Sequence, residues 1–202
     1  MFVELGAKVV VISGTPGVGK TSVALRITEI LGGRYFNLSE FVLSNNLFIG
    51  YDRNTDSFII DEEKLRNALN DLIRRSEGYV IIDSHYGEIV DDDLLFKLIV
   101  LRLDPRVLHR RLISKGWGGR KLLDNLESEL VGVCTFNALE EHDRSKVCEV
   151  DVTGKDLNEV VREVLEIING DLACEVKVDW LRDDDIVKEV LNVISFSDSS
   201  RS

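Results

Sequence analysis

Apolar and polar positions along this chain switch between two periods. The run from Lys8 to Ile12 is dominated by β-branched residues and ends in glycines, the pattern of a central parallel strand buried on both faces. From Thr21 to Leu31, Val23, Ala24, Ile27, Ile30 and Leu31 recur at helical spacing and stop at Gly32-Gly33, which predicts a helix. A short strand is predicted at "RYFNL". "SEFVLSNNLFIGYDRNTDSFII" then holds a short helix and a polar, glycine-broken loop. "DEEKLRNALNDLIRRSEG" predicts a helix with Asp61 as N-cap, acids in its first turn and Gly78 at its exit.

Further on, "YVIID" at 79–83 and "LFKLIVLRL" at 95–103 predict two more buried strands. Pro105 opens the helix "PRVLHRRLISKG", where its missing N–H costs little. "RKLLDNLESELVGVCTFNALEEH" reads as one long helix, "KVCEVDV" as a last strand, and "DLNEVVREVLEII" as a helix ending near Gly170. Strands alternating with helices, beginning with strand–loop–helix, predict an α/β three-layer sandwich around a parallel central sheet. The expected organisation is one domain over residues 1–170 and a short C-terminal extension over 171–202. The extension reads as a strand-like piece, an amphipathic helix from about Asp183 to Ile194 and a Ser-rich frayed tail. Its Trp180 and apolar helix face either pack on the domain or offer a partner surface.

Composition narrows the function classes. With 202 residues and 44% apolar content, the chain can bury a sizeable core. A formal net charge of −11 argues against direct sequence-specific nucleic-acid binding and favours basic partners. No apolar run is long enough for a membrane span, and the start of the chain leads straight into a strand rather than a signal peptide. Cys134, Cys148 and Cys174 are odd in number and widely spaced, suggesting neither a zinc site nor a disulfide framework. The expectation is free thiols in a reducing cytoplasm, in a monomer or weak oligomer.

Three stretches carry chemistry. Residues 14–21, Gly-Thr-Pro-Gly-Val-Gly-Lys-Thr, satisfy G-x-x-x-x-G-K-[ST] between a strand and a helix, the context this phosphate loop requires. Glycines let backbone N–H groups turn inward on anionic oxygens, and the following helix points its positive end at them. Lys20 is positioned to reach the outer phosphates of ATP, and Thr21 to place its hydroxyl on Mg²⁺. In "VIIDSH", Asp83 ends a buried strand at the edge where open α/β sheets bind ligands, so its carboxylate is a candidate to hold Mg²⁺ through water. His85 is a candidate to order a water or to sense the γ-phosphate. In "RRLISKGWGGRKLLDN", glycine turns between helices carry Lys115, Arg120 and Lys121, a candidate lid closing cations over phosphates. Arg110 and Arg111 stand one turn earlier, where either could instead pair with acids.

The combination of "GTPGVGKTS", "GYD", "DSH" and "SKGWGGRKLLDN…LEE" resembles the adenylate kinase isoenzyme 6 family, the coilin-interacting nuclear ATPases and their archaeal relatives, over roughly residues 7–169. That resemblance implies an adenylate-kinase-like P-loop NTPase fold, phosphoryl transfer from ATP to AMP or another nucleoside monophosphate, and Mg-ATPase activity. It also implies a role in late maturation of the small ribosomal subunit through transient binding of ribosomal protein uS11. On this mapping Gly17, Gly19, Lys20, Thr21 and Ser22 hold the ATP phosphates, with Gly14 and Val18 completing the loop. Residues 37–60 form the monophosphate-binding segment, residues 114–124 the lid, and Thr153-Gly154-Lys155 falls where adenylate kinases line the adenine. Asp83 and His85 take the metal and water-ordering roles.

Two positions depart from the family pattern. Lys115 stands in place of a lid arginine, a charge without the bidentate fork, with Arg120 near enough to compensate. Leu43 stands where relatives often grip the monophosphate with arginine, and Arg53 is a candidate substitute from the next loop. Losing an arginine–phosphate pair weakens monophosphate binding more than ATP binding, which weights the reading towards ATPase. The competing readings are a purely metabolic monophosphate kinase and a small-molecule P-loop kinase of the shikimate or gluconate type.

Overall fold

A computed structural model of the protein describes residues 6–53 and 57–199. The first strand β1 (Ala7–Ser13) runs through the glycine loop into α1 (Lys20–Leu31), followed by β2 (Arg34–Asn37) and α2 (Leu38–Ser44). Then come β3 (Phe48–Asp52), β4 (Ser57–Ile60), α3 (Glu62–Arg74), β5 (Gly78–Asp83) and β6 (Leu95–Arg102). After these the chain forms α4 (Pro105–Ser114), α5 (Gly119–Val131), α6 (Val133–Glu141), β7 (Val147–Asp151), α7 (Leu157–Asn169) and α8 (Asp184–Ser199).

Five strands form a parallel sheet in the order β2-β5-β1-β6-β7. Because side chains alternate across a strand, β1 feeds both faces of the sheet. Val10 and Ile12 join Ile81, Ile99, Leu101 and the inner stripes of α1, α4, α5, α7 and α8. Val9 and Val11 join Val80, Ile82, Leu98 and the inner residues of α3 and α6. These are the three expected layers. The chain leaves β1 towards β2 on one side and later crosses to β6 on the other, so the glycine loop sits at the topological switch point.

Local signals account for the element ends. Asp61 accepts a hydrogen bond from the Lys64 amide, as expected of an N-cap, and Asp104 caps α4 ahead of Pro105. Gly78, expected to close α3, instead opens β5 at φ 69°, while α3 ends on Arg75.

Further expectations are corrected. The glycine-broken loop after α2 is a β-hairpin: β3 and β4 pair antiparallel, with Phe48, Tyr51 and Phe58 in ring contact. Its strands are only 5 and 4 residues long and bulge at Gly50, so their alternation is short and broken. Residues 54–56 lie outside the described residues.

The long helix after the lid is two helices. Gly132 adopts φ 72°, closing α5 in a left-handed cap that an L side chain resists, and a Cβ there would stand 3.1 Å from the Arg102 guanidinium.

The segment after Gly170 is extended but forms no strand. Leu172, Cys174, Val176, Val178 and Trp180 alternate inward as half-buried side chains, while backbone pairing to β7 includes Glu149 N–H donating to Glu175 C=O at 2.8 Å. The α8 helix docks Ile186 and Val190 into the core and continues to Ser199, through most of the expected frayed tail. Residues 200–202 lie outside the described residues.

Cys148 and Cys174 are not free thiols. The returning strap brings their Cα atoms to 4.8 Å and the two sulfurs form a disulfide, leaving Cys134 free. Spacing alone could not show this pair, because only the strap's path along β7 creates it. Among the described residues no helix is long and apolar enough to cross a membrane.

Candidate active site

The loop after β1, the ends of β2 and β5, and the turn after β7 meet at one edge of the sheet. Gly14 adopts φ 132°, and a Cβ there would fall 2.4 Å from the Leu101 carbonyl oxygen of β6. Backbone therefore packs on backbone, and neither can yield. Gly17, at φ 98°, packs instead against the Leu112 and Leu108 side chains of α4. Gly14→Ala is expected to destabilise the protein by about 3 kcal/mol through overpacking and left-handed strain. Thermal denaturation against the parent checks this, and an unchanged midpoint would show that the loop tolerates a side chain.

Lys20 and Thr21 open α1 directly beneath the loop. The Lys20 ammonium is half-buried and donates to the Thr15 carbonyl at 3.2 Å. Burial lowers its pKa, with the Asp83 carboxylate opposing that shift. Asp83, at the end of β5, is only 4% exposed. Its Oδ2 accepts from Thr21 Oγ1 at 2.5 Å, from Tyr35 OH at 3.1 Å and from Asn37 Nδ2 at 3.3 Å. Residues Tyr35 and Asn37 lie two apart on β2, so one face of that strand presents both donors to the neighbouring strand's carboxylate. Burial raises the Tyr35 pKa, keeping the phenol protonated as a donor.

Thr21 and Asp83 thus present paired hard oxygen donors at the foot of the phosphate loop, a set that suits Mg²⁺. Among the described residues no group of three or more His, Cys, Asp or Glu side chains could hold a metal by itself. A Mg²⁺ ion here would complete its shell with water and phosphate oxygens, the usual habit of that ion.

His85 projects from the turn after β5 and lines two adjoining cavities. The larger, about 460 Å³, is bounded by Thr15, Pro16, Trp117, Lys121, Asn125 and Cys134 among others. The second, about 270 Å³, is lined by Val42, Leu43, Phe58, Ile60, Ser84 and Tyr86 among others, so the unexpected hairpin forms one of its walls. The imidazole reaches solvent, yet the surrounding protein costs it hydration. This loss lowers its pKa, and the nearby Lys20 charge adds to the effect. The ring is therefore biased towards its neutral form. Cys134 touches the same region, and burial raises its thiol pKa to about 11, so it remains protonated there.

The lid is a short turn between α4 and α5. Lys115 is exposed but close enough for its charge to act on Lys20. Arg120 points elsewhere: its guanidinium faces Asp124 at 3.7 Å and it does not line either cavity at His85. The inward cation is Lys121, 4.8 Å above the Trp117 ring. Arg111 donates to the Val18 carbonyl at 3.2 Å instead of pairing with an acid. It also lines a cleft of about 160 Å³ with Gly19, Ser22, Val152, Lys155 and Val160. Lys155 flanks that cleft, its ammonium paired with Glu163. The structure therefore brings together Gly14, Gly17, Val18, Gly19, Lys20, Thr21, Ser22, Asp83 and His85, with Lys155 at one side and Arg120 turned away.

Sequence reasoning missed Tyr35, Asn37, Thr15, Arg102 and Glu129. Thr15 Oγ1 donates to Glu129 at 2.6 Å, and Glu129 is itself bonded to Arg102. A signal existed for the last two. Glu129 interrupts the apolar stripe of Leu122, Leu126 and Leu130, and Arg102 ends the unbroken apolar run 98–101 of its strand.

The fold and its glycine loop define a P-loop kinase scaffold. Shikimate kinase from Bacteroides thetaiotaomicron superposes with a TM-score of 0.54 at 18% identity, over 80% of this chain and 98% of that one. A family described as an AAA domain matches residues 10–132. A protein named "Putative adenylate kinase" from Saccharolobus solfataricus is 36% identical, aligned over 78% of this chain and 81% of its own length. A Thermococcus onnurineus protein of the same name is 39% identical, over 79% of this chain and 83% of its own. The chain belongs to this P-loop family, together with these archaeal proteins.

Proposed function

We propose that the protein is a Mg-ATP-dependent nucleoside monophosphate kinase with ATPase activity. In this reading it is an isoenzyme 6-type factor acting in late small-subunit maturation through transient binding of uS11. The observation that carries the phosphotransferase reading is the Thr21 hydroxyl held 2.5 Å from the buried Asp83 carboxylate, directly below a loop that carries Lys20. Phosphoryl transfer needs positioning and neutralisation of charge more than covalent chemistry. Loop amides and Lys20 hold the outer phosphates, and Lys115 and Lys121 add positive charge from the lid side. Thr21 and Asp83 are the residues that would hold Mg²⁺, which would supply further positive charge against the phosphates. Arg111, Ser22 and Lys155 flank the cleft proposed for the nucleoside end of ATP.

The hydrolytic component has its own support. The cavity beside His85 is lined by Leu43, Val42, Phe58 and Ile60, and among the described residues no lysine or arginine lines it. A monophosphate entering it has little to replace the missing arginine at Leu43. The neutral-biased His85 ring suits a water-ordering acceptor. The net charge of −11 suits a basic ribosomal client, whose binding is expected to weaken with salt.

Turnover of Mg-ATP alone, with AMP, and with uS11 tests the reading. Slow hydrolysis altered by uS11 supports the assembly role, whereas fast reversible ATP–AMP conversion untouched by uS11 would leave a metabolic kinase. His85→Ala is expected to lower hydrolysis by about 10²-fold and transfer to AMP by much less. Equal losses in both activities would remove the water-ordering role. Because the His85 pKa is lowered, the acid limb of the hydrolysis profile is expected below the ordinary histidine value, with activity falling as the ring gains its proton.

A further inference from the structure

A buried polar chain runs from the phosphate loop to the C-terminal strap. Thr15, Arg102, Glu129 and Glu149 are each 3% exposed or less. Glu129 Oε1 accepts from Arg102 Nε at 2.9 Å, from the Leu103 amide at 3.1 Å and from Trp180 Nε1 at 3.2 Å. Its Oε2 accepts from Thr15 Oγ1 at 2.6 Å. Arg102 donates onward to Glu149 Oε1 at 2.5 Å, and Glu149 Oε2 takes the Lys177 and Val178 amides at 2.8 and 2.7 Å. The Cys148–Cys174 disulfide fastens the strap to β7 next to Glu149.

We infer that the C-terminal strap is a working part of the phosphate loop, with Glu129 as the positioning residue that transmits its docking to Thr15. Three donors hold one carboxylate oxygen of Glu129 and fix the plane of the group. The other oxygen is thereby aimed at Thr15. Thr15 also offers its carbonyl to Lys20 at 3.2 Å, so the chain Trp180–Glu129–Thr15–Lys20 is continuous through hydrogen bonds. A loop preset in this way loses less freedom when it closes on phosphate, so loosening it raises the Michaelis constant for ATP and leaves the chemical step largely intact.

The inference rests on the nucleotide reading of the loop, and the experiment separates the two. Removing Glu129 itself risks unfolding, so the variants are Trp180→Phe, Thr15→Val and Thr15→Ser in the full chain. Trp180→Phe is expected to raise KM for ATP about threefold and Thr15→Val about tenfold, with kcat within about twofold and Thr15→Ser close to the parent. Because both bonds act through Glu129, the double variant is expected to resemble Thr15→Val rather than multiply the two effects. Hydrogen exchange of the nucleotide-free protein is expected to quicken at residues 14–20 in Trp180→Phe. An unchanged KM and unchanged exchange in Trp180→Phe, or full multiplicativity in the double variant, would overturn the coupling. If the parent turns over no nucleotide, the nucleotide reading fails. Exchange then decides alone: faster exchange at the loop sustains the coupling and unchanged exchange overturns it.

Discussion

Replacing Lys20 with methionine is expected to lower ATP turnover by about 10³-fold without lowering thermal stability. The two halves of that result have one physical cause. In the nucleotide-free protein the ammonium is half-buried, and desolvation lowers its pKa even with Asp83 nearby. A lysine whose folded pKa is depressed disfavours folding while it is charged, and the penalty fades only as pH rises through that lowered value. Methionine keeps the alkyl stem and removes the charge, so the melting midpoint is expected at or above the parent's at neutral pH. Turnover suffers because a partly dehydrated cation is worth more to a phosphate than one in water. Circular dichroism melts and steady-state kinetics on the same preparations check both halves. Retained turnover would deny Lys20 its phosphate role, and a lowered midpoint would make it a structural residue.

The parts of this site legible in the sequence are those whose geometry is local. Gly14 to Thr21 announces a strand, a tight loop and a helix within one stretch, and Asp83 closes a run too apolar to be anything but a buried strand. What escaped depends on which strands become neighbours. Tyr35 and Asn37 meet Asp83 because β2 pairs with β5, across an intervening helix, hairpin and second helix. Cys148 meets Cys174 because the chain doubles back along β7 after α7. The lid illustrates a different failure. Arg120 and Lys121 are adjacent, and one step along a helix turns a side chain by about 100°, so only one of them can face the loop. Helical phase could have chosen between them, because the glycine turn before Arg120 and the helix that follows it were both legible in the sequence.

Glu129 and Arg102 show the complementary lesson. Charged residues on an apolar stripe or at the end of an apolar strand are legible as anomalies, yet their meaning needs the partners. Burial of one charge is costly, and burial of three is tolerable only as a satisfied set. Here Thr15, Thr135, Trp180 and the amides of Leu103, Lys177 and Val178 supply the remaining donors. The same carboxylates that compensate Arg102 therefore fasten the loop and the strap.

That arrangement makes Arg102→Met the substitution with the largest expected cost in stability, about 4 kcal/mol at neutral pH. Burial alone would push the Arg102 pKa down. The Glu129 and Glu149 carboxylates outweigh it, the net direction is up, and the guanidinium stays charged. Methionine fills much of the space but leaves two carboxylates buried without their cation, at 1% and 2% exposure. Two like charges left in the interior have lost their hydration and gained no partner, and that loss is the source of the cost. Urea denaturation of the parent, of Arg102→Met and of Arg102→Met combined with Glu129→Gln and Glu149→Gln measures this at neutral pH. A large loss in Arg102→Met that the two glutamines largely restore identifies stranded charge as the cause. A loss that they leave unchanged would assign it to packing, and no loss in Arg102→Met would mean that the network does not carry the fold.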